Sequence, residues 1–194
     1  MRRSTQVIIT GVVIGILMSL VGAAWYLQQH RPQPARQTDA ARFQAEYPRV
    51  AADNRFVYAR DVAVLDMLEH GTGVVFLGYP QCPWCQRLSE YVDQAARAEG
   101  IAAIHYLNIR QARASKNETY QKLVARLAPY LSKDENGQPR IFVPDVTIVK
   151  HGSIVWRYKE EPTEDNTTPD RYWTAERAQR AVTQLRRAMQ TMKQ

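Results

Sequence analysis

Chemistry in this sequence centres on Cys82 and Cys85, the only two cysteines among 194 residues. They stand as Cys82-Pro83-Trp84-Cys85, a spacing that lets two thiols meet and exchange with a disulfide. The four histidines (His30, His70, His105 and His151) are scattered singly and do not complete a zinc site. An inert structural bridge is an alternative, but a two-residue gap closes too short a loop to gain much stability. The elements that must hold the pair are legible on either side. Val74, Val75, Phe76 and Leu77 form an apolar run that ends at Gly78 and reads as a buried strand. Gln86 to Gly100 reads as a helix, with apolar Leu88, Tyr91, Val92 and Ala95 on one face. Pro83 suits a helix start, where its missing N–H costs nothing. Cys82 then meets the unpaired backbone N–H groups and the dipole of the helix, which favour a thiolate. Cys85, about one turn further in, is expected to be less exposed.

Residues 7–27 carry no charge and follow Arg2 and Arg3. As a helix they span about 32 Å, the thickness of a bilayer core, and Trp25 and Tyr26 close them as interfacial aromatics do. This predicts a single-pass membrane anchor with the C-terminal domain outside the cytoplasm. A cleaved signal peptide is the rival, with Gly22 and Ala24 as small residues before a cut. Residues 28–53 read as a polar linker and a short lead-in, with a short helix from Phe43 to Val50. Residues 54–194 read as the folded domain. The formal charge of +7 suggests nucleic acid only until it is located. Arg2 and Arg3, with the segment 171–194 and its six basic residues to one acidic, hold the whole excess, so no nucleic-acid partner is expected.

Within the domain, Arg55–Ala59 reads as a weak strand, Asp61–His70 as a short helix and Ile101–Ile109 as the next strand. Ser115 to Glu118 reads as a capping box opening a helix that Pro129 ends or kinks. Residues 134–139 read as loop, and Ile141–Tyr158 as a hairpin turning at His151-Gly152. Residues 166–170 read as loop. From Trp173 an apolar stripe through Val182, Leu185 and Met189 predicts a helix packed on the sheet, with a coiled-coil seam as the alternative.

The Cys82-Pro83-Trp84-Cys85 motif in its strand–helix setting resembles the thioredoxin superfamily, and is most similar to the C-P-aromatic-C of glutaredoxins. The order of elements over about residues 54–192 resembles the same fold: α/β, a central mixed β-sheet flanked by helices. The stretch from Gly78 to Cys85 is also similar to exported, membrane-anchored thioredoxin-like proteins described as bacteriocin-transport accessories. The resemblance implies that Val143-Pro144 is a cis bond facing the cysteine pair, able to orient a bound peptide by strand addition. It implies Cys82 as nucleophile, Cys85 as resolving thiol, and Trp84, Val143 and Pro144 as substrate-binding residues. One departure is that Phe76 stands where thioredoxins carry a buried aspartate. Export also separates the chain from a large glutathione pool.

These readings together predict an extracytoplasmic thiol–disulfide oxidoreductase acting on protein cysteines. Oxidative folding is its leading direction, with a reductant or isomerase of the same fold behind it. No cofactor is expected beyond the Cys82–Cys85 disulfide/dithiol. Partners are cysteine-containing exported proteins, a membrane or exported redox partner, and the bilayer itself. The competing class is a non-catalytic binding module that presents a peptide groove or binds copper(I) through the two thiolates.

Overall fold

A computed structural model describes residues 38–158 and 167–193. The expected membrane segment, residues 7–27, lies outside them. Among the described residues no helix is long and apolar enough to cross a membrane. The elements in chain order are α1 (Asp39–Glu46), β1 (Phe56–Tyr58), α2 (Asp61–His70), β2 (Gly73–Gly78), α3 (Pro83–Ala98), β3 (Ile104–Asn108), α4 (Arg110–Ser115) and α5 (Glu118–Leu127). A 3₁₀ turn (Ala128–Tyr130) then leads to β4 (Ser132–Lys133), β5 (Pro139–Arg140), β6 (Asp145–Lys150), β7 (Ser153–Tyr158), α6 (Pro169–Tyr172) and α7 (Ala175–Thr191).

Five strands form a mixed sheet in the order β1-β3-β2-β6-β7. β1, β3 and β2 run parallel, whereas β6 is antiparallel to β2 and β7 to β6. The uninterrupted apolar run of β2 follows from this position, since a central strand is covered on both faces and needs no polar alternation. Val74, Phe76, Val146 and Ile148 enter one core layer, with Leu88 and Val92 of α3 and Leu185 and Met189 of α7. Val75, Leu77 and Val149 enter the other, with Leu68 of α2 and Leu123 and Leu127 of α5. Neighbouring strand residues thus feed opposite layers, as a pleated strand requires. The apolar stripe of α7 is core packing against α3 and β7, so this stripe is accounted for without a coiled-coil seam.

The lead-in is more deeply involved than its polar composition suggests. Thr38 caps α1 by accepting the Ala41 N–H at 3.2 Å. Phe43 and Tyr47, one helical turn apart, fall on one face, and both are fully buried. The Phe43 ring stacks on Phe56 at 3.7 Å and on Tyr47 at 4.2 Å between centroids. Tyr47 Oη donates to Tyr106 Oη of β3 at 3.1 Å. Helix α1 therefore shares the α3 core layer, although it precedes the boundary drawn at residue 54.

Two local expectations are corrected. Asn117, not Ser115, caps α5, its Oδ1 accepting the Tyr120 N–H at 2.9 Å. Ser115 instead ends α4, because Lys116 takes a left-handed conformation that breaks the chain direction between the two helices. Pro169–Tyr172 is a short helix where 166–170 reads as loop, whereas residues 134–138 do form a loop, joining β4 and β5 as a small hairpin. Both short elements are held by neighbours and carry too few residues for a periodic signal. The His151-Gly152 turn does form, with φ of 48° and 72°.

Candidate functional site

Helix α3 begins on Cys82, whose backbone is extended (φ −88°, ψ 112°) as an N-cap residue requires, with Pro83 as the first helical residue. The cap is a sulfur. Cys82 Sγ accepts the Cys85 N–H at 3.1 Å, in the place where a serine or aspartate oxygen normally serves. The preceding turn is closed by Cys82 N–H donating to the Tyr79 carbonyl at 3.1 Å. Gln86 fastens the same turn from the helix side, its Nε2 donating to Pro80 O and to Glu46 O, both at 2.8 Å. The end of β2, the helix start and the end of α1 thus converge on the two cysteines.

Both thiols are free. Cys85 is fully buried and Cys82 is 6% exposed, so of the two residues only Cys82 reaches solvent. The Cys82 thiol is held below its ordinary value, first by the hydrogen bond from the Cys85 thiol. The N–H groups of Cys85 and Trp84 and the charge of Arg113 add to this, against an opposing effect of burial. Cys85 is pushed strongly upward by burial and by the neighbouring Cys82 sulfur. One thiol is prepared to ionise and the other to keep its proton.

The second expected part of the site comes from the strand beyond β2. The Val143–Pro144 bond is cis, and Val143 O lies 3.8 Å from Cys82 Sγ. Val143 is half-buried and Pro144 is buried. Asp145 follows, fully buried, paired with Arg157 of β7 and accepting the Thr147 hydroxyl at 2.9 Å. Burial pushes its carboxyl upward against the pull of Arg157. The Trp84 ring meets Tyr172 of α6 edge-on at 5.3 Å. Phe76 is fully buried among Phe56 and Tyr106, so no carboxylate stands beneath Cys85 at that position. Gly78 is required here by space. A Cβ on it would lie 2.7 Å from the Phe76 ring and 3.2 Å from Cys85 Sγ.

One contact at the site had no signal in the sequence. Arg113 Nη2 donates to Tyr79 Oη at 2.9 Å, across 34 positions of chain, and its guanidinium carbon stands 5.2 Å from the Tyr79 ring centre. A polar six-residue helix such as α4 gives no apolar period that would announce this contact. Two concavities among the described residues flank the site, and neither is lined by the cysteines. A crevice of about 300 Å³ adjoins the motif along Pro80, Pro83 and Arg87, and a groove of about 840 Å³ lies beyond Arg113 between α5 and the β4–β5 hairpin. For a metal, the soft ligands are Cys82 and Cys85. Among the described residues no cluster of three or more His, Cys, Asp and Glu side chains forms around them.

Compared with known proteins, the chain matches no family model, no curated protein and no solved structure.

Proposed function

We propose that this protein is a thiol–disulfide oxidoreductase of thioredoxin-like fold, held at a membrane by residues 7–27 and working outside the cytoplasm. The observation that carries the reading is the asymmetry of the cysteine pair. Cys82 caps a helix with its sulfur and has the exposed edge, while Cys85 is sealed behind it.

The chemistry follows from that asymmetry. In the reducing direction the Cys82 thiolate attacks a substrate disulfide, forming a mixed disulfide and releasing one substrate thiolate. Cys85 then gives up its proton and attacks Cys82 Sγ, forming the Cys82–Cys85 disulfide and releasing the second substrate thiolate. Run in reverse, a substrate dithiol is oxidised and the protein pair takes up the two electrons. Interactions that favour the Cys82 thiolate stabilise the reduced pair and raise its oxidising power, so oxidative folding of exported proteins is the favoured direction. The backbone at Val143, beside Cys82, is the surface against which an extended substrate segment would lie. No cofactor enters these steps.

Trapping tests the assignment. Cys85→Ser should accumulate mixed disulfides with substrate proteins, because the outer thiol reacts and nothing resolves it. Cys82→Ser should trap little. Alkylation of the reduced wild type should label Cys82 well below the pH at which a free thiol reacts. Equal trapping by both variants, or first labelling on Cys85, would overturn the reading. Tight stoichiometric copper(I) without exchange would instead favour a binding module.

A further inference from the structure

The Cys82-Pro83-Trp84-Cys85 motif contains no charged residue, and Phe76 supplies none from below. A positive charge reaches the turn before the motif from elsewhere in the fold. The N–H of Ile109, which caps α4, donates to Gly78 O at 3.2 Å and ties α4 to the last residue of β2. One turn later Arg113 N–H donates to Ile109 O at 2.8 Å. The Arg113 side chain therefore rises beside Tyr79, whose hydroxyl accepts it at 2.9 Å. Tyr79 in turn holds the Cys82 N–H on its carbonyl. Arg110 stands over the same ring, 5.9 Å from its centre. Among the described residues neither Arg110 nor Arg113 forms a salt bridge with a carboxylate, whereas Arg157 and Arg97 do.

We propose that Arg113 is a positioning residue for the reactive sulfur: its guanidinium, clasped by the Tyr79 hydroxyl, is the fixed positive charge that balances the Cys82 thiolate. This deepens the dithiol reading and rests on it. Two other ionisable groups that bear on Cys82 are Cys85 of α3 and Tyr47 at the end of α1. Neither brings a positive charge. Asp145, next to Pro144, is already neutralised by Arg157. The favourable effect of Arg113 extends to Cys85 as well, so the same charge assists the moment when the inner thiol must ionise. Tyr79 makes the arrangement specific, because a lysine-like point charge needs no clasp whereas a guanidinium gains direction from one.

The test compares reduced full-length wild type with Arg113→Gln, Arg113→Lys and Tyr79→Phe. Iodoacetamide labelling of Cys82 is followed by mass spectrometry from pH 5 to pH 9.5. Arg113 adds to the larger effect of the Cys85 hydrogen bonds, so Arg113→Gln should label about threefold more slowly at pH 6 and equally fast at pH 9.5. A threefold loss lowers the reduction potential of the pair by about 15 mV. Arg113→Lys should recover most of the rate, and Tyr79→Phe should lose up to about twofold by releasing the guanidinium. Lys122→Gln, on the exposed face of α5, controls for net charge and should leave the profile in place. A purely structural Arg113 would lower the melting temperature while the pH profile stayed superimposable. That result in both Arg113→Gln and Tyr79→Phe overturns the proposal. Failure of the dithiol reading shows separately, as a wild-type pair that exchanges with no disulfide.

Discussion

Replacing Arg157 with leucine should expose how the strand beside Cys82 is held. Asp145 directly follows Pro144, and its side chain has no exposed surface, while that of Arg157 is 10% exposed. The guanidinium also donates to Tyr130 O at 2.5 Å, so it ties β7 to the 3₁₀ turn as well as to β6. Removing one partner of such a pair leaves a buried carboxylate with only the Thr147 hydroxyl, at a cost of about 3–5 kcal/mol. With a urea dependence of about 2 kcal/mol per molar, the unfolding midpoint should fall by roughly 2 M at pH 7. The pH dependence has a definite sign. Burial raises the folded-state pKa of Asp145, and loss of Arg157 raises it further. The native state then holds a proton that the unfolded chain releases above about pH 4, so stability falls as pH rises through that window. Arg157→Leu should accordingly be nearer wild type at pH 4.5 than at pH 7.5. Adding Asp145→Asn should recover most of the loss, because no charge is then stranded. The assay is urea unfolding followed by circular dichroism for the two single variants and the double variant. A cost below about 1 kcal/mol at pH 7, or the same cost at both pH values, would refute the argument. Disulfide exchange should slow along with stability, since the Val143 carbonyl loses its anchor.

Phe43→Ala should destabilise by about 3–5 kcal/mol, because its ring is fully buried between Tyr47 and Phe56; chemical denaturation reads this, and a change under 1 kcal/mol would place α1 outside the core. Gly78→Ala should cost about 1–3 kcal/mol and slow exchange, as the new methyl meets the Phe76 ring and Cys85 Sγ; unfolding and a model-disulfide assay taken together check it. The anchor reading of residues 7–27 predicts that the protein stays with membranes through an alkaline wash while added protease digests its domain in spheroplasts; release by the wash would favour a cleaved signal.

The sequence by itself determined the parts of this protein whose physical cause is local. The β2 run, the helix behind the cysteines and the stripe of α7 all follow from apolar spacing, which depends on the period of the backbone alone. The positive-φ turn at His151-Gly152 was readable from residue types that tolerate it. Cys82 as a helix cap followed from Pro83 and the onset of an apolar face. Tertiary structure decided what the chain brings together from a distance. Lys116 divides what reads as a single helix start, and α4 is tied to the end of β2 by the Ile109 N–H on Gly78 O. Phe43 opens what reads as a short lead-in helix ahead of the domain, yet one aromatic face one turn long suffices to enter its core. The meeting of Arg113 with Tyr79, and of Asp145 with Arg157, depends on crossing connections and on strand register. Neither contact leaves a periodic trace, because a single long cation reaching across the fold is set by geometry and not by pattern.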